Sequence, residues 1–136
     1  MVRVTAAVLD RGEHILIAKR RQGARLGGLW EFPGGKIEDG EDPRACLARE
    51  LHEELGIAAE IGEFLVSHVH HYPHVSIELL SYRAVDVAGE FELRDHDEVR
   101  WVRPEEMGAY EFAPADLPTV AFLQDARPGQ KAAQGG

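Results

Sequence analysis

Cysteine is almost absent from this 136-residue sequence, in which Cys46 is the only one. No intrachain disulfide can form, which excludes a disulfide-stabilised secreted scaffold and favours a reducing cytoplasm. Long apolar runs are also missing, so we expect neither a signal peptide nor a membrane span. These absences predict a cytoplasmic protein with no membrane partner.

Basic residues are scarce, with 15 Lys and Arg against 24 Asp and Glu and a formal net charge of −9. Because nucleic acid polymers and anionic membranes attract the opposite sign, we expect neither as a partner. The charge is uneven: residues 31–63 hold ten acids and three bases, whereas residues 1–25 hold six bases and two acids. A metal ion would neutralise the first region, and a small anionic substrate could bind the second.

Length and composition fit one globular domain, since 44% of the residues are hydrophobic. We predict that residues 1–125 form this domain. Residues 126–136 (ARPGQKAAQGG) lack apolar anchors and are predicted to be a flexible tail. The sequence leaves the oligomeric state open between monomer and homodimer.

Strand and helix patterns alternate along the chain. The first two strand patterns, at 2–9 and 15–19, flank a turn cluster and predict a hairpin. The later elements are strands at 61–72, 75–87, 91–93 and 99–102, an acidic loop at 95–98, a short helix or turn at 104–107 and a helix at 117–125. With the helix described next, this order favours an α/β fold in which a mixed β-sheet is sandwiched between helices.

The end signals of one helix are clear. Asp42 is a good N-cap, Pro43 suits the first helical position, and Gly56 provides a left-handed stop, so we predict a helix over 43–55. Apolar residues recur at three- and four-residue steps and predict a core-facing stripe of Ala45, Ala48, Leu51 and Leu55.

Three carboxylates, Glu50, Glu53 and Glu54, lie at helical contact spacing on a neighbouring face. Like charges at this spacing repel by roughly 0.2–0.5 kcal/mol per pair, so a cation is expected among them. Hard oxygen ligands favour Mg²⁺ or Mn²⁺ over zinc. The alternative is a solvated acidic helix face.

The stretch from Gly35 to Ile57 matches a known signature. With U for a bulky aliphatic residue, G-x5-E-x7-R-E-U-x-E-E-x-G-U is filled at all nine fixed positions by Gly35, Glu41, Arg49, Glu50, Leu51, Glu53, Glu54, Gly56 and Ile57. The chain therefore resembles the Nudix hydrolases. This resemblance implies the Nudix fold and a metal-dependent enzyme that cleaves a nucleoside diphosphate linked to another moiety.

The resemblance assigns the metal ligands. Glu50, Glu53 and Glu54 match the ligand positions of the family, and the main-chain carbonyl of Gly34 is expected to join them. Glu53 or Glu50 is also the candidate general base. In this family a further acidic ligand often comes from a later loop, and Asp95 stands six residues before Trp101, where relatives carry a Glu.

The resemblance also assigns supporting roles. Arg49 is expected to hold the neighbouring acids in position, and a surface salt bridge is its alternative role. Glu41 lies before the helix and supports the metal site, while Gly35 permits close approach of the backbone. For the later acidic loop, Asp97 and Glu98 compete with Asp95.

Arg20 is predicted to bind phosphate. It precedes Glu31 by the interval that separates a phosphate-contacting Arg from the Glu-Phe-Pro-Gly-Gly run in MutT-type proteins. Arg21 and Arg25 are alternatives, and a strand-end arginine often faces solvent instead.

The run at 68–74 is rich in histidine. Alternation places His68 and His70 on one strand face, yet no carboxylate stands at ligand spacing for zinc. The remaining possibilities are that His70 or Tyr72 stacks on a base, or that this is an ordinary solvent-facing sheet surface.

Two further stretches narrow the resemblance. WEFPGGKIEDGE at 30–41 and FAPADLP at 112–118 are similar to MutT-type 8-oxo-dGTP diphosphatases and bacterial CTP pyrophosphohydrolases. In MutT an Asn before the last helix reads the oxidised guanine, and Asp116 stands at this position here. Asp116 is thus predicted to bind the base, with capping of the following helix as the alternative.

The resemblance implies a MutT-type nucleotide-pool enzyme. We expect a magnesium-dependent pyrophosphohydrolase that releases monophosphate and pyrophosphate from 8-oxo-dGTP or from CTP, dCTP or 5-methyl-dCTP. The alternatives are hydrolysis of another nucleoside diphosphate derivative, such as ADP-ribose, and a sensor module that binds nucleotides without cleaving them. Sensor modules usually lose a metal glutamate, whereas all three are present here.

Overall fold

The computed structural model describes residues 1–125, and the predicted tail at 126–136 lies outside the described residues. Within them, the strands are β1 (Val2–Arg11), β2 (His14–Arg20), β3 (Trp30–Glu31), β4 (Ala58–His71), β5 (Ser76–Ala88) and β6 (His96–Val102). The helices are α1 (Pro43–Leu55), α2 (Leu117–Asp125) and two short 3-10 helices, Pro104–Ala109 and Pro114–Asp116. None of these helices has the length and apolar character needed to cross a bilayer.

The six strands form one mixed sheet. Its order is β3-β2-β1-β5-β4, and β6 pairs with β2. β1 runs parallel to β5, beginning with Val2 opposite Ile77, and the other strand pairs are antiparallel. The hairpin predicted between the first two strands is confirmed by the pairing of Asp10 with Ile15.

Each face of the sheet is covered by a helix, because alternate residues of a strand point to opposite sides. The core beneath α2 includes Ala6, Val8, Ile17, Val120 and Leu123. The core beneath α1 includes Ala7, Leu9, Leu16, Leu47, Leu51 and Leu55. The predicted arrangement, a mixed sheet sandwiched between helices, is confirmed.

Helix α1 has the predicted bounds and caps. The Asp42 carboxylate accepts hydrogen bonds from the backbone N–H groups of Arg44 (3.0 Å) and Ala45 (3.2 Å). At the other end Gly56 adopts a left-handed conformation with φ of 71°. Of the predicted apolar stripe, Ala45 was wrong, as the next paragraph describes.

The buried face of α1 consists of Cys46, Leu47, Leu51 and Leu55, whereas Ala45 is exposed and Ala48 is only partly buried. A leucine side chain removes more apolar surface from water than an alanine, so the three leucines set the orientation of the helix. With the leucines facing the core, the glutamates of α1 lie at the edge of its buried face.

The strand predicted at 91–93 is absent. Instead, this segment binds the carboxyl end of α1, where the Glu92 N–H donates to the Leu55 carbonyl (2.9 Å) and the Arg94 N–H donates to the Glu54 carbonyl (3.2 Å). The last carbonyls of a helix lack partners within the helix and need such donors. Capping α1 therefore replaces sheet pairing here.

The acidic loop predicted at 95–98 is mostly strand. β6 begins at His96, so Asp97 and Glu98 are strand residues. Glu98 lies opposite Lys19 of β2, and cross-strand pairs of opposite charge favour such pairing. Asp95 directly precedes the strand.

Candidate active site

Residues 30–37 fill the gap that opens where β1 diverges from β2. The Thr5 N–H donates to the Gly35 carbonyl and the Ala7 N–H donates to the Pro33 carbonyl, both at 2.8 Å. The Thr5 hydroxyl also donates to the Gly35 carbonyl, at 3.1 Å. Hydrogen bonds to the central strand β1 thus fix residues 30–37, which we call the glycine segment, beside α1.

Gly34 and Gly35 are both required by close approach. A Cβ atom at Gly34 would lie 2.0 Å from the Thr5 carbonyl oxygen, and one at Gly35 would lie 2.3 Å from the Glu50 carboxylate. The first obstacle is the backbone of a central strand. The second is the end of a flexible side chain, which can move away.

We expect the two alanine substitutions to separate folding from function. Gly34→Ala should lower the unfolding temperature strongly, because a buried backbone would have to shift. Gly35→Ala should retain the fold but displace the Glu50 carboxylate, and so lower activity and the apparent affinity for divalent cation. Thermal unfolding and activity titrated with Mg²⁺ measure the two effects, and an active Gly35→Ala enzyme with wild-type metal dependence would contradict the assignment of Glu50.

Arg49 lies at the centre of the carboxylates. Its guanidinium donates to both oxygens of Glu41 (2.8 and 2.9 Å), and it lies 3.4 Å from carboxylate oxygens of Glu50 and Glu53. The hydrogen bonds from Arg49 lower the pKa of Glu41 to about 2, and the surrounding acids raise the pKa of Arg49. The predicted positioning role of Arg49 agrees with this geometry.

Glu54 is the most strongly perturbed of the glutamates. Burial, and then the charges of Glu31, Glu50 and Asp95, raise its pKa to about 9. One of its carboxylate oxygens is buried with no hydrogen-bond partner among the described residues. Burial also raises the pKa of Glu50. The structure thus brings carboxylates together without enough positive charge to balance them. A bound cation would relieve their mutual repulsion.

The carboxylates do not converge on one point in this structure. Within residues 1–125 no group of three or more His, Cys, Asp or Glu side chains lies close enough to hold a metal ion. The fit of a divalent cation therefore depends on the orphaned oxygen of Glu54, the raised pKa values and the oxygen-only donor set, which suits Mg²⁺ or Mn²⁺.

Arg20 is held at the end of β2 by two partners. Its guanidinium donates to the Glu31 carboxylate and to the Arg25 carbonyl, both at 2.7 Å. The other Glu31 oxygen lies 2.8 Å from the Nε2 atom of His96, which is buried. The carboxylate of Glu31 therefore connects the candidate phosphate-binding arginine to the start of β6.

Asp116 is buried at the end of a 3-10 helix, directly before α2. Its Oδ1 atom accepts a hydrogen bond from the Phe32 N–H at 3.2 Å, and no bond from this side chain to the start of α2 occurs within residues 1–125. Burial raises the pKa of Asp116 well above its usual range. The geometry does not support the capping alternative.

A cavity of about 470 Å³ brings many of the predicted residues together. Of the candidates, its lining contains Arg20, Gly34, Gly35, Glu54, Tyr72, Asp95 and Asp116. His70 is not a lining residue and packs edge-on against Tyr72, with ring centroids 4.4 Å apart. Tyr72 is thus the only one of these two rings that lines the cavity. The signature residues Glu41, Arg49, Glu50 and Glu53 are not among its lining residues.

Glu31 and His96 are site residues that sequence reasoning missed. Both line the cavity, yet in the sequence analysis Glu31 served only to mark the interval from Arg20, and His96 was only part of a predicted acidic loop. A usable signal existed for Glu31, which stands at a fixed interval from Arg20. Nothing local distinguishes His96, because its role depends on the pairing of β6 with β2.

Comparisons with known proteins identify the family of the chain. Residues 1–123 match the family described as NUDIX domain. The chain is 42% identical to the CTP pyrophosphohydrolase of Escherichia coli (strain K12) over 131 residues, covering 94% of this chain and 97% of that protein. It is 34% identical to the 8-oxo-dGTP diphosphatase of Haemophilus influenzae over 125 residues, covering 90% and 91%.

A solved structure shows the same fold. The solution structure of the E. coli ORF135 protein superposes with a TM-score of 0.85 at 39% identity, covering 97% of this chain and 94% of that one. The match of the family over residues 1–123, together with the full signature over residues 35–57, confirms the prediction made from the sequence. The chain belongs to the Nudix family.

Proposed function

We propose that this chain is a pyrophosphohydrolase that converts a nucleoside triphosphate into its monophosphate and pyrophosphate, with cytosine nucleotides as preferred substrates. The observation that carries this proposal is the shared cavity, where the carboxylates of Glu54 and Asp95 face the same space as Arg20 and the buried Asp116. A cation site, a phosphate contact and a base contact are the three elements that this reaction needs.

Nudix hydrolases generally use divalent metal ions. In the proposed site Glu50, Glu53, Glu54, Asp95 and the Gly34 carbonyl would hold the ion, and their oxygen ligands would favour Mg²⁺, with Mn²⁺ as the alternative. A bound cation supplies charge neutralisation of the phosphates and a more acidic bound water.

The residues of the chain divide the remaining work. Glu53 is the proposed base that takes the proton of the attacking water, since its side chain is 54% exposed and thus accessible to solvent. Arg49 restrains the acids around it. Arg20, oriented by Glu31, binds a phosphate oxygen, for which its planar guanidinium is well suited.

The buried state of Asp116 favours cytosine. A neutral carboxylic acid offers one donor and one acceptor, which match the N3 acceptor and the exocyclic N–H₂ donor of cytosine. An ionised carboxylate only accepts and would suit the N–H groups of guanine instead. Burial raises the pKa of Asp116, which favours the neutral form of this side chain.

The relatives support two candidate bases. The 42% identical relative is named for CTP, and the 34% identical one for 8-oxo-dGTP. The side chain at 116 favours the first, and 8-oxo-dGTP is the second candidate. From the single cysteine we propose a reducing, cytoplasmic location for the chain.

The test of the proposed function is a panel of CTP, dCTP, 5-methyl-dCTP, dGTP and 8-oxo-dGTP in Mg²⁺, with products resolved by chromatography. We expect monophosphate and pyrophosphate, with the highest kcat/KM for a cytosine nucleotide. ADP-ribose and a reaction in excess chelator are the controls. Release of inorganic phosphate instead of pyrophosphate, or no turnover at all, would refute the proposal.

The ionisation of Asp116 makes a separate prediction. The ratio of kcat/KM for CTP to that for 8-oxo-dGTP should fall as pH rises through the raised pKa of Asp116, because the acid loses its donor. Taking the ratio cancels pH effects common to both substrates. Asp116→Asn keeps a donor and an acceptor at every pH, so its ratio should not change with pH. A wild-type ratio that is independent of pH would show that Asp116 does not act as a neutral acid.

A further inference from the structure

One face of β4 contacts the segment that precedes α2. His68 and His70 share this face, because side chains two residues apart point to the same side of a strand, and Tyr72 directly follows the last strand residue, His71. The His68 Nε2 atom lies 2.8 Å from the Ala115 carbonyl oxygen, and the Tyr72 hydroxyl accepts a hydrogen bond from the Ala115 N–H at 3.0 Å.

The two side chains therefore satisfy both polar groups of one buried residue. Ala115 is only 6% exposed, so its N–H and carbonyl are poorly accessible to water. A buried polar group without a partner costs about 1–3 kcal/mol, which gives both contacts energetic weight. Ala115 belongs to a 3-10 helix of three residues, which cannot satisfy these groups by itself.

The donor and the acceptor of each of the two hydrogen bonds can be identified. A carbonyl oxygen only accepts, so the Nε2 atom of His68 carries the proton of this bond. The Nδ1 atom of His68 is buried with no partner among the described residues. Within these residues the ring therefore hydrogen-bonds through Nε2, to Ala115. His70 packs against the ring of Tyr72 and restricts its position.

Asp116 follows Ala115 directly. Its carboxylate is held on one side by the Phe32 N–H, and its backbone follows the position of Ala115. A shift of Ala115 would move the Asp116 side chain within the cavity. Resting on the proposed role of Asp116 in base binding, we propose that His68 and Tyr72 are positioning residues that set base specificity by holding Ala115.

The histidine-rich run thereby acquires a role that neither zinc binding nor base stacking supplies. His68 and Tyr72 connect the edge strand β4 to the end of the cavity that contains Ala115 and Asp116. The phosphate and metal ends of the cavity are built from other elements, α1, β2 and the glycine segment. Changes at His68 or at the Tyr72 hydroxyl should therefore affect the base and not the chemistry at phosphorus.

The test compares three variants across the nucleotide panel. Tyr72→Phe removes only the hydroxyl, and His68→Leu removes the donor. Each should lower kcat/KM for the preferred nucleotide by about 3- to 10-fold, through KM, while kcat changes less than twofold. His68→Gln places an amide donor near the position of Nε2 and should restore most of the loss. His71→Ala is the matched control, because His71 contacts Ser76 and not Ala115.

A double-mutant cycle with Asp116→Ala identifies the route of the effect. If the two residues act through Asp116, Tyr72→Phe should change the base ranking in the wild type and have no further effect on it in the Asp116→Ala background. Equal effects in both backgrounds would overturn the positioning role.

The same cycle separates this inference from the proposed function. If Asp116→Ala reorders the panel but Tyr72→Phe and His68→Leu do not, only the positioning role is overturned. If Asp116→Ala leaves the ranking unchanged, base binding by Asp116 and positioning by its neighbours both fail. Unfolding temperatures of all variants show whether any loss follows instead from a loosened fold.

Discussion

Replacing Glu53 with glutamine should lower kcat by about 100- to 10,000-fold, the range expected for losing a general base. Glutamine keeps the size of the side chain but removes one negative charge and the ability to take a proton. The fold should persist and become slightly more stable in the absence of metal. The reason is that the charge of Glu53 is among those that raise the pKa of Glu50, so its removal relieves repulsion.

The matched control is Glu63→Gln. Glu63 is an exposed glutamate of β4 that pairs with Arg83 at 3.3 Å, away from the carboxylate cluster. This variant should turn over as the wild type does, so that a general loss of negative charge is excluded as the cause. A Glu53→Gln enzyme that retained more than about a tenth of the wild-type kcat would refute the role assigned to Glu53.

Helix α1 and its glutamates were predictable because their signals are local. Asp42, Pro43 and Gly56 set the bounds of the helix through neighbouring backbone atoms, and the spacing of the glutamates follows from helical geometry. The glycine segment was predictable for a related reason. Gly35 was expected to permit close approach of the backbone, and the structure shows what approaches it and Gly34.

The residues that were missed depend on contacts between distant parts of the chain. Glu31 and His96, the residues that were missed, contact each other over a separation of 65 residues, and the contact of Tyr72 with Ala115, which was also not foreseen, spans 43 residues. Such pairs are set by strand order and register, which a single sequence does not specify.

The failed strand at 91–93 has a similar cause. Its β-type residues satisfy the local pattern, but the carbonyls at the end of α1 compete for the same backbone donors. The strand that follows extends into the predicted acidic loop for the same kind of reason, since its pairing with β2 outweighs the local preference of the acidic residues for a turn. Contacts with distant parts of the chain therefore determine the structure of both segments.

Without divalent cation, the free energy of unfolding should fall as pH rises from about 5 to 8. Glu54 has a pKa of about 9 in the folded chain, against an ordinary value of 4.5. Between these values the unfolded chain loses this proton while the folded chain keeps it, so stability decreases by up to about 1.4 kcal/mol per pH unit. Glu50 and Asp116 are shifted in the same direction. The lowered pKa of Glu41 acts only below about pH 4.5 and does not oppose this trend.

Mg²⁺ should reverse the trend, because cation binding requires ionised carboxylates and is therefore favoured as pH rises. Glu54→Gln removes the titrating group, so in chelator this variant should be close to the wild type near pH 5 and exceed its stability by up to about 4 kcal/mol near pH 8. Glu63→Gln should follow the wild-type curve. Urea unfolding at a series of pH values, with chelator and with Mg²⁺, measures all three proteins. A wild-type stability that does not change with pH in chelator would mean that Glu54 is ionised in the folded chain, and that the carboxylate cluster is already neutralised by other residues of the protein.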